Sequence, residues 1–487
     1  MDVTAPIVKL LQGGLGSLAS YLAAHVLLCL VPAFFIAGAM VALIPKETVS
    51  RFLGRNTPKY LSYPASAAAG SLLAVCSCTI VPIFAGIYKK GAGIGPAITF
   101  LFFAPAANIL ALIYTGALLG SDLAIARFLL SLTFGISIGL IMALIFSRED
   151  IEHDQGIDSM FAGQQGRMPR AGLVFLLLLV ALLISGTLKV SLLTDTYAQI
   201  TAPIAGLDRF QALLDYVVPF DAAKGEEGVS VQGVILILLL VSIGISSWFG
   251  LENILEGFNR WTWMSLGLVA LTLLTAAVKI TPHPDGLTIQ FTGKFLGVAL
   301  AIIVLGLVGR FSLKADDIQG WLSESWFFVK KIFPLLVVGV FAVGVIRKLI
   351  QPEWIESLAG QNTFLGNFVG VVFGVFMYFP TLVEVPIAKM FLSLGMHRGP
   401  LLAYLMADPE LSLQSILITA SIIGRLRAWV YVAWVALFST LAGLIYGIWI
   451  DGTSFALIIL YLIIFLVLLA VALNFFKKRN LQKTVTS

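Results

Sequence analysis

Charge is what this sequence has least of: only 12% of its 487 residues are Asp, Glu, Lys or Arg, and 4 are histidine. That is too little to clothe a soluble globular surface, where about a quarter of residues are charged. Cysteine is equally sparse. The three present, Cys29, Cys76 and Cys78, all lie in apolar sequence, so no extracellular disulfide framework is implied. No GxxxxGK[ST] loop occurs and no polar stretch is long enough for an ATPase domain, so the chain carries no pump motor. No pattern calls for a catalytic residue, a cofactor or a resident metal, and an enzyme is not expected.

What is abundant is apolar sequence: 59% of residues, with a mean hydropathy of +0.98. This is the composition of an all-α polytopic membrane protein, with the lipid bilayer as its solvent. At about 20 apolar residues per span, spans fall near 18–44, 95–118, 123–146, 170–190, 231–249, 262–281, 292–311, 330–349, 399–422, 428–450 and 454–475. The first follows a short N-terminus with one lysine and no small-residue cleavage site, and reads as a retained helix. The formal net charge of +5 is a topology signal and does not suggest nucleic acid.

Inside this apolar sequence, one segment occurs twice. Residues 70–145 align without a gap on 374–449, 304 positions on, and the helix breakers stay in step: Gly70 with Gly374, Pro82 with Pro386, Gly91 with Gly395, Gly95-Pro96 with Gly399-Pro400, Pro105 with Pro409, Gly120 with Gly424, Gly139 with Gly443. Two halves that break at the same places suggest a duplicated transport unit. Residues 170–311 have no counterpart. The plan is a first repeat over 18–146, an inserted region over 147–320 with four transmembrane helices, a second repeat over 321–450, and a terminal helix with a basic tail over 451–487. Within the insert, 191–230 is too polar to span and reads as an interfacial helix or packed loop.

Residues 61–92 and 365–394 decide the topology. Segments 64–75 and 80–88 are each roughly 14–18 Å long as helix, half a bilayer, with Cys-Ser-Cys-Thr-Ile-Val-Pro between them. As re-entrant hairpins they give each repeat three crossings, and four spans between the repeats then make them inverted; as full spans they make the repeats parallel. The hairpin reading puts Lys46, Arg51, Arg55, Lys59, Lys89, Lys90, Arg148, Arg167, Arg170, Lys314, Arg425, Arg427 and the tail Lys477, Lys478, Arg479 on one side, while loops 119–122 and 351–364 carry no Lys or Arg. The positive-inside rule favours it. The expected fold is two inverted repeats, about 11 spans plus 2 hairpins, with a cytoplasmic C-terminus.

The first hairpin tip holds Cys76, Ser77, Cys78 and Thr79 before Pro82. Irregular backbone at membrane depth lines a wet cavity or is buried in protein, and two thiols one residue apart suit a soft, thiophilic centre; buried cysteine also packs as a small hydrophobe. The second tip, before Pro386, has Glu384 and no cysteine. A carboxylate at mid-membrane costs on the order of 2.5–3.5 kcal/mol, so Glu384 is expected to be neutral, wetted or paired with a lysine or backbone amide. Beyond each hairpin the next helix is expected to break at proline, at Pro105 with Asn108 and at Pro409 between Asp408 and Glu410. The two acids are candidates for ion coupling, and Asp408 before Pro409 is equally a helix cap. His25 and Cys29 share one face of the first helix, and Cys29 is a candidate third sulfur, although aligning Pro32 with Pro334 sets it opposite Lys331 near a membrane surface. His397-Arg398 reads as a solvated turn, and Arg425 and Arg427 as cytoplasmic anchors.

The stretch CSCTIVPIFAGIYKKGAGIGPAITFLFFAPAANILAL, with FPTLVEVPIAKMFLSLGMHRGPLLAYLMADPELSLQSIL, resembles the predicted permease family (domain of unknown function 318, YraQ type) that includes the organoarsenical efflux permeases called ArsP. Cys76, Cys78, Thr79, Pro82, Gly86, Gly95, Pro105 and Asn108 match its first pattern, and Glu384, Pro386, Pro409 and Ser412 its second. The resemblance implies an inner-membrane permease, with efflux of trivalent organoarsenicals in some members. The four-helix insert, Asp408 and Glu410 depart from the shorter members.

The resulting expectation is a secondary permease, proton-coupled through Glu384, Asp408 and Glu410, exporting a small thiophilic solute bound by Cys76, Ser77, Cys78, Thr79, Asn108 and Glu384. One alternative is a transporter of a sulfur-containing or other small anion, drawn by half-helix N-termini and Lys89 and Lys90. Another is a membrane thiol-disulfide oxidoreductase working through Cys76 and Cys78, for which Cys29 alone supplies no second dithiol.

Overall fold

A computed structural model describes residues 4–24, 26–72, 77–160, 170–187, 191–203, 206–218, 220–221, 226–283, 286–347, 349, 353–376, 381–454, 456–461, 463–465, 467–468 and 471. The chain opens with α1 (Thr4–Ala24), a π turn at Val26–Leu30, α2 (Val31–Leu43) and α3 (Lys46–Leu53). Next come α4 (Lys59–Leu72), α5 (Ser77–Lys89), α6 (Ile94–Ala106), α7 (Ile109–Leu119), α8 (Ser121–Ile145) and the polar α9 (Ser147–Met160). The insert holds α10 (Arg170–Thr187), α11 (Ser191–Thr194), β1 (Thr196–Ala202), α12 (Leu207–Val217), β2 (Phe220–Asp221), β3 (Glu226–Glu227), α13 (Val231–Gly250), α14 (Arg260–Ala277), β4 (Lys279–His283), β5 (Gly286–Thr292) and α15 (Gly293–Ser312). A 33-residue α16 (Ala315–Arg347) leads through α17 (Glu353–Ala359) to α18 (Phe364–Phe376), α19 (Thr381–Ser393), α20 (Arg398–Leu411), α21 (Leu413–Ile423) and α22 (Arg425–Ile450).

The protein is mostly helical, and among the described residues 7 helices are long and apolar enough to cross a membrane, or up to 9 if two bent pairs each count as one. The expected span at 262–281 is α14, which opens on Arg260-Trp261-Thr262-Trp263 and stops at Ala277, so its apolar part is short. The expected tail helix at 454–475 falls largely outside the described residues. The insert also departs from the all-α expectation: β1, β5 and β4 form a three-stranded antiparallel sheet, with Ile200 opposite Ile289 and Ile289 opposite Ile280. Alternation in Gly-Leu-Thr-Ile-Gln-Phe-Thr (286–292) has the period of a strand, which the length of an apolar run does not reveal. Among the described residues of 191–230, expected as an interfacial helix or packed loop, the helices are the four-residue α11 and the longer α12.

The element bounds fall in step 304 residues apart. α5 spans Ser77–Lys89 and α19 Thr381–Ser393; α7 spans Ile109–Leu119 and α21 Leu413–Ile423; α8 begins at Ser121 and α22 at Arg425. Each last helix is entered through a glycine in the left-handed region, Gly120 at φ 112° and Gly424 at φ 93°, where a side chain would be strained. A Cβ on Gly95 would sit 2.9 Å from the Gly139 carbonyl oxygen, and one on Gly399 the same distance from that of Gly443. The small residues therefore let α6 pack backbone to backbone on α8, and α20 on α22. One hydrophobic core runs through both segments, from Phe84, Phe100 and Phe134 to Phe391, Tyr404 and Phe438.

α4, α5, α18 and α19 have 14, 13, 13 and 13 residues. Each is about 20 Å long, short of a hydrocarbon core of about 30 Å.

Candidate functional site

The site forms where α6 gives way to α7 and α20 to α21. At the first break Asn108 caps α7, its Oδ1 accepting from the Ala111 amide at 2.8 Å. At the second, Ser412 holds the corresponding position, its Oγ donating to Ser415 Oγ at 2.8 Å, and α21 turns 48° away from α20. Asp408 is therefore not the cap: it lies inside α20 with Pro409 and Glu410, all three buried. The prolines do not themselves break the helices either. Pro105 and Pro409 are followed by one and two more helical residues, and Pro82 and Pro386 sit within α5 and α19. Proline lacks its own backbone N–H and leaves the carbonyl four residues upstream without that donor; α6 and α20 still run past theirs and end within the next turn, and α5 and α19 run on for seven residues.

Glu384, in the first turn of α19, is paired with Arg127 of α8. Arg127 Nη2 donates to Glu384 Oε1 at 2.6 Å, and both side chains are 0% exposed. The same guanidinium donates from Nε to the Ala106 carbonyl at 2.7 Å and from Nη1 to Thr115 Oγ1 at 3.0 Å. The partner is neither a lysine nor a backbone amide but Arg127, the one basic residue of the 121–146 run, which the sequence reading does not single out. Asp408 is also buried, on α20, which packs against α19.

Position 127 of the first segment corresponds to 431 of the second, and Tyr431 does the equivalent work. Its hydroxyl donates to Glu410 Oε2 at 2.6 Å, and Glu410 corresponds to Ala106, whose carbonyl Arg127 engages. Asp408 and Glu410 are in the last turn of α20, where the helix dipole disfavours negative charge. No stability argument would place two acids there.

Cys29 is half-buried and hydrogen-bonds with Thr79 Oγ1, which sets it against the start of α5. Cys76 lies outside the described residues, as do the side chains of Ser77 and Cys78 and that of His25, so the thiol cluster and the His25–Cys29 pairing are not placed. Among the described residues no three His, Cys, Asp or Glu side chains are grouped to hold a metal ion.

Two polar clusters flank this centre. Arg398, at the start of α20, donates to the Leu119 carbonyl at the end of α7 at 2.9 Å and lies 3.0 Å from Asp122 Oδ2, to which the Tyr446 hydroxyl also donates at 2.7 Å. It is thus a tie between the two segments rather than a solvated turn. At the other cluster Arg427, near the start of α22, donates to the Tyr88 hydroxyl near the end of α5 at 3.1 Å, Tyr88 stacks on His153, and Lys89 pairs with Glu324 at 2.6 Å. Arg427 is therefore more than an anchor. Burial lowers the Lys90 amine to about 8 against the pull of Glu324 and Glu47, and burial raises the Asp150 carboxyl, which accepts from the Ile94 amide at 2.9 Å.

A family described as a predicted permease matches residues 13–448. The chain belongs to that family. It is 32% identical over 452 residues to the UPF0718 protein MJ0584 of Methanocaldococcus jannaschii, covering 92% of this chain and 99% of that protein. A shorter stretch of 123 residues is 26% identical to the UPF0718 protein YraQ of Escherichia coli K12, covering 25% of this chain and 35% of that relative. No solved structure matches the chain. A permease family with several span-capable helices makes this a multi-pass membrane transporter, acting on a small molecule.

Proposed function

We propose that the chain is a proton-coupled secondary permease built from two inverted repeats, and that Glu384 belongs to its coupling centre. The observation that carries this reading is the Arg127–Glu384 pair, fully buried and joining the last helix of one repeat to the hairpin of the other. Buried ion pairs contribute little to stability once desolvation is counted, and ionisable groups in a membrane interior mark transport pathways. Inversion is supported by how the repeats meet: the start of α20 pairs with the end of α7, and the start of α22 with the end of α5. Starts meeting ends is the pattern of antiparallel copies. The cluster holding Lys89, Lys90 and Arg427, with Arg425 at the start of α22, is then cytoplasmic by the positive-inside rule, which leaves the C-terminus cytoplasmic in an inner membrane. The short legs α4–α5 and α18–α19 fit re-entrant hairpins, and the Arg398 and Arg427 ties fit gates at opposite faces.

The cargo reading rests on Cys76 and Cys78 at the first tip with Cys29 beside Thr79: a small thiophilic solute such as a trivalent organoarsenical, exported from the cell. The buried guanidinium of Arg127 favours a second reading, a small sulfur-containing anion. A sensitivity screen against methylarsenite, arsenite, soft metals and sulfur oxyanions, with and without this protein, separates the two. Resistance to methylarsenite that disappears in Cys76→Ser/Cys78→Ser supports thiol ligation; resistance retained in that variant removes it.

A further inference from the structure

The two repeats fill one structural position with different charges. In the first, the Arg127 guanidinium engages the end of α6 through the Ala106 carbonyl; in the second, the Tyr431 hydroxyl engages the end of α20 through the Glu410 side chain. The cation therefore stands in one copy and the acid in the other. Glu410 and Tyr431 are both buried, and the Tyr431 hydroxyl donates to Glu410 Oε2 at 2.6 Å, while Oε1 meets no N–H or O–H donor among the described residues. A single hydrogen bond from a neutral phenol does not offset the burial of an ionised carboxylate, and a carboxyl in that position takes a proton instead.

We infer that Glu410 holds the proton this permease exchanges, with Tyr431 donating to Oε2, the carbonyl oxygen of the neutral acid, and the hydrogen carried on Oε1. The inference rests on the proton-coupled reading above and gives two of its acids separate tasks: Glu384 ties α19 to α8 through Arg127, and Glu410 is loaded and unloaded. Unloading breaks the bond between Oε1 and its hydrogen and leaves a carboxylate in the last turn of α20, where the helix dipole disfavours negative charge. The proton can therefore leave only when water reaches the bend between α20 and α21 to receive it. Access to that bend from one side or the other is what ties the proton to a conformational step.

The principal elements packed on α20 leave Glu410 to Tyr431. α6, α18 and α21 carry no ionisable side chain. α8 carries Arg127, engaged with Glu384, and Asp122, engaged with Arg398 and Tyr446. α19 carries Glu384 and Lys389. α22 carries Tyr431 itself, Tyr446, and Arg425 and Arg427 in its first turn, with Arg427 bonded to Tyr88. α20 adds Arg398, Tyr404 and Asp408.

Infrared spectroscopy of the full-length protein in lipid vesicles tests this without knowledge of the cargo, since a protonated carboxyl has its own carbonyl stretch. At neutral pH the wild type should show a protonated-acid component that is lost in Glu410→Gln, a nearly isosteric change. Tyr431→Phe, which removes only the hydroxyl, should keep that component and move it to higher wavenumber as the carbonyl loses its donor. A protonated-acid region identical in wild type and Glu410→Gln overturns the inference, as does a band that Tyr431→Phe leaves unmoved. Flux reports separately on the proton-coupled reading. Gradient-driven flux by the wild type together with an acid band unchanged in Glu410→Gln removes this inference alone, whereas wild-type flux indifferent to the pH gradient removes the proton-coupled reading with it.

Discussion

Arg127 Nη2 lies 2.6 Å from Glu384 Oε1 with neither side chain exposed, so a charge pair sits inside the apolar body of the protein and links α8 to α19. Removing one partner of a buried pair strands the other, at about 3–5 kcal/mol, whereas replacing both by apolar groups is often nearly neutral. Arg127→Leu and Glu384→Leu should each lower thermal stability in detergent sharply, and the double variant should recover most of the loss. Additive single losses in a double-mutant cycle would show that the two side chains are not coupled.

The Arg398–Asp122–Tyr446 cluster is about one-third exposed at its ion pair, so its energetic weight is that of a surface contact, about 1 kcal/mol or less. That is still roughly fivefold in a two-state equilibrium. Asp122→Asn should increase labelling of a cysteine introduced at Ser121 by a membrane-impermeant maleimide, and Arg398→Asp/Asp122→Arg should bring labelling back toward the wild-type rate. Labelling indifferent to all three changes would remove the gate.

Asp150 holds the first amide of α6 from a separate helix, α9. Losing a side-chain acceptor from a helix N-terminus costs about 0.5–2 kcal/mol. Asp150→Ala should therefore destabilise the protein by that amount, while Asp150→Asn, which keeps an acceptor oxygen, should stay close to wild type in a thermal melt.

Lys90 gives a pH signature. Burial brings its amine from 10.5 to about 8, which corresponds to on the order of 3 kcal/mol against the charged form. Between those two values the unfolded chain binds a proton that the folded chain has released, so wild-type stability rises with pH across that window. Below 8 the cost is present in full. Lys90→Met should be the more stable protein at pH 7, with an advantage that shrinks as pH rises through 8 toward 10.5; parallel melting curves over that range would contradict this.

Much of the scaffold was legible because glycine and proline are costly in membrane helices, so their positions report geometry directly. Gly120 and Gly424 mark the entries to α8 and α22 because only glycine takes those φ values without strain. The small sheet was not legible while apolar length was the guide, since β1 and β5 are short and alternate. At the site, Glu384, Asp408 and Asn108 stand out as polar residues in apolar runs, and all three are buried. Arg127 is the same kind of exception and could have been found by the same rule. Its partner could not: the two are 257 residues apart, and only the folding of one segment on the other brings them together. Of the two readings of Asp408, the cap fails although Asp-Pro is a common helix start, because here the helix runs on to Leu411 and Ser412 takes that place.

The most direct test of the central claim is solute flux in proteoliposomes under an imposed pH gradient, using the solute that the sensitivity screen picks out, for wild type and Glu384→Gln. The account predicts gradient-driven accumulation by the wild type and its loss in Glu384→Gln, with the variant still folded and inserted. Accumulation of equal rate and extent in the two proteins would contradict it.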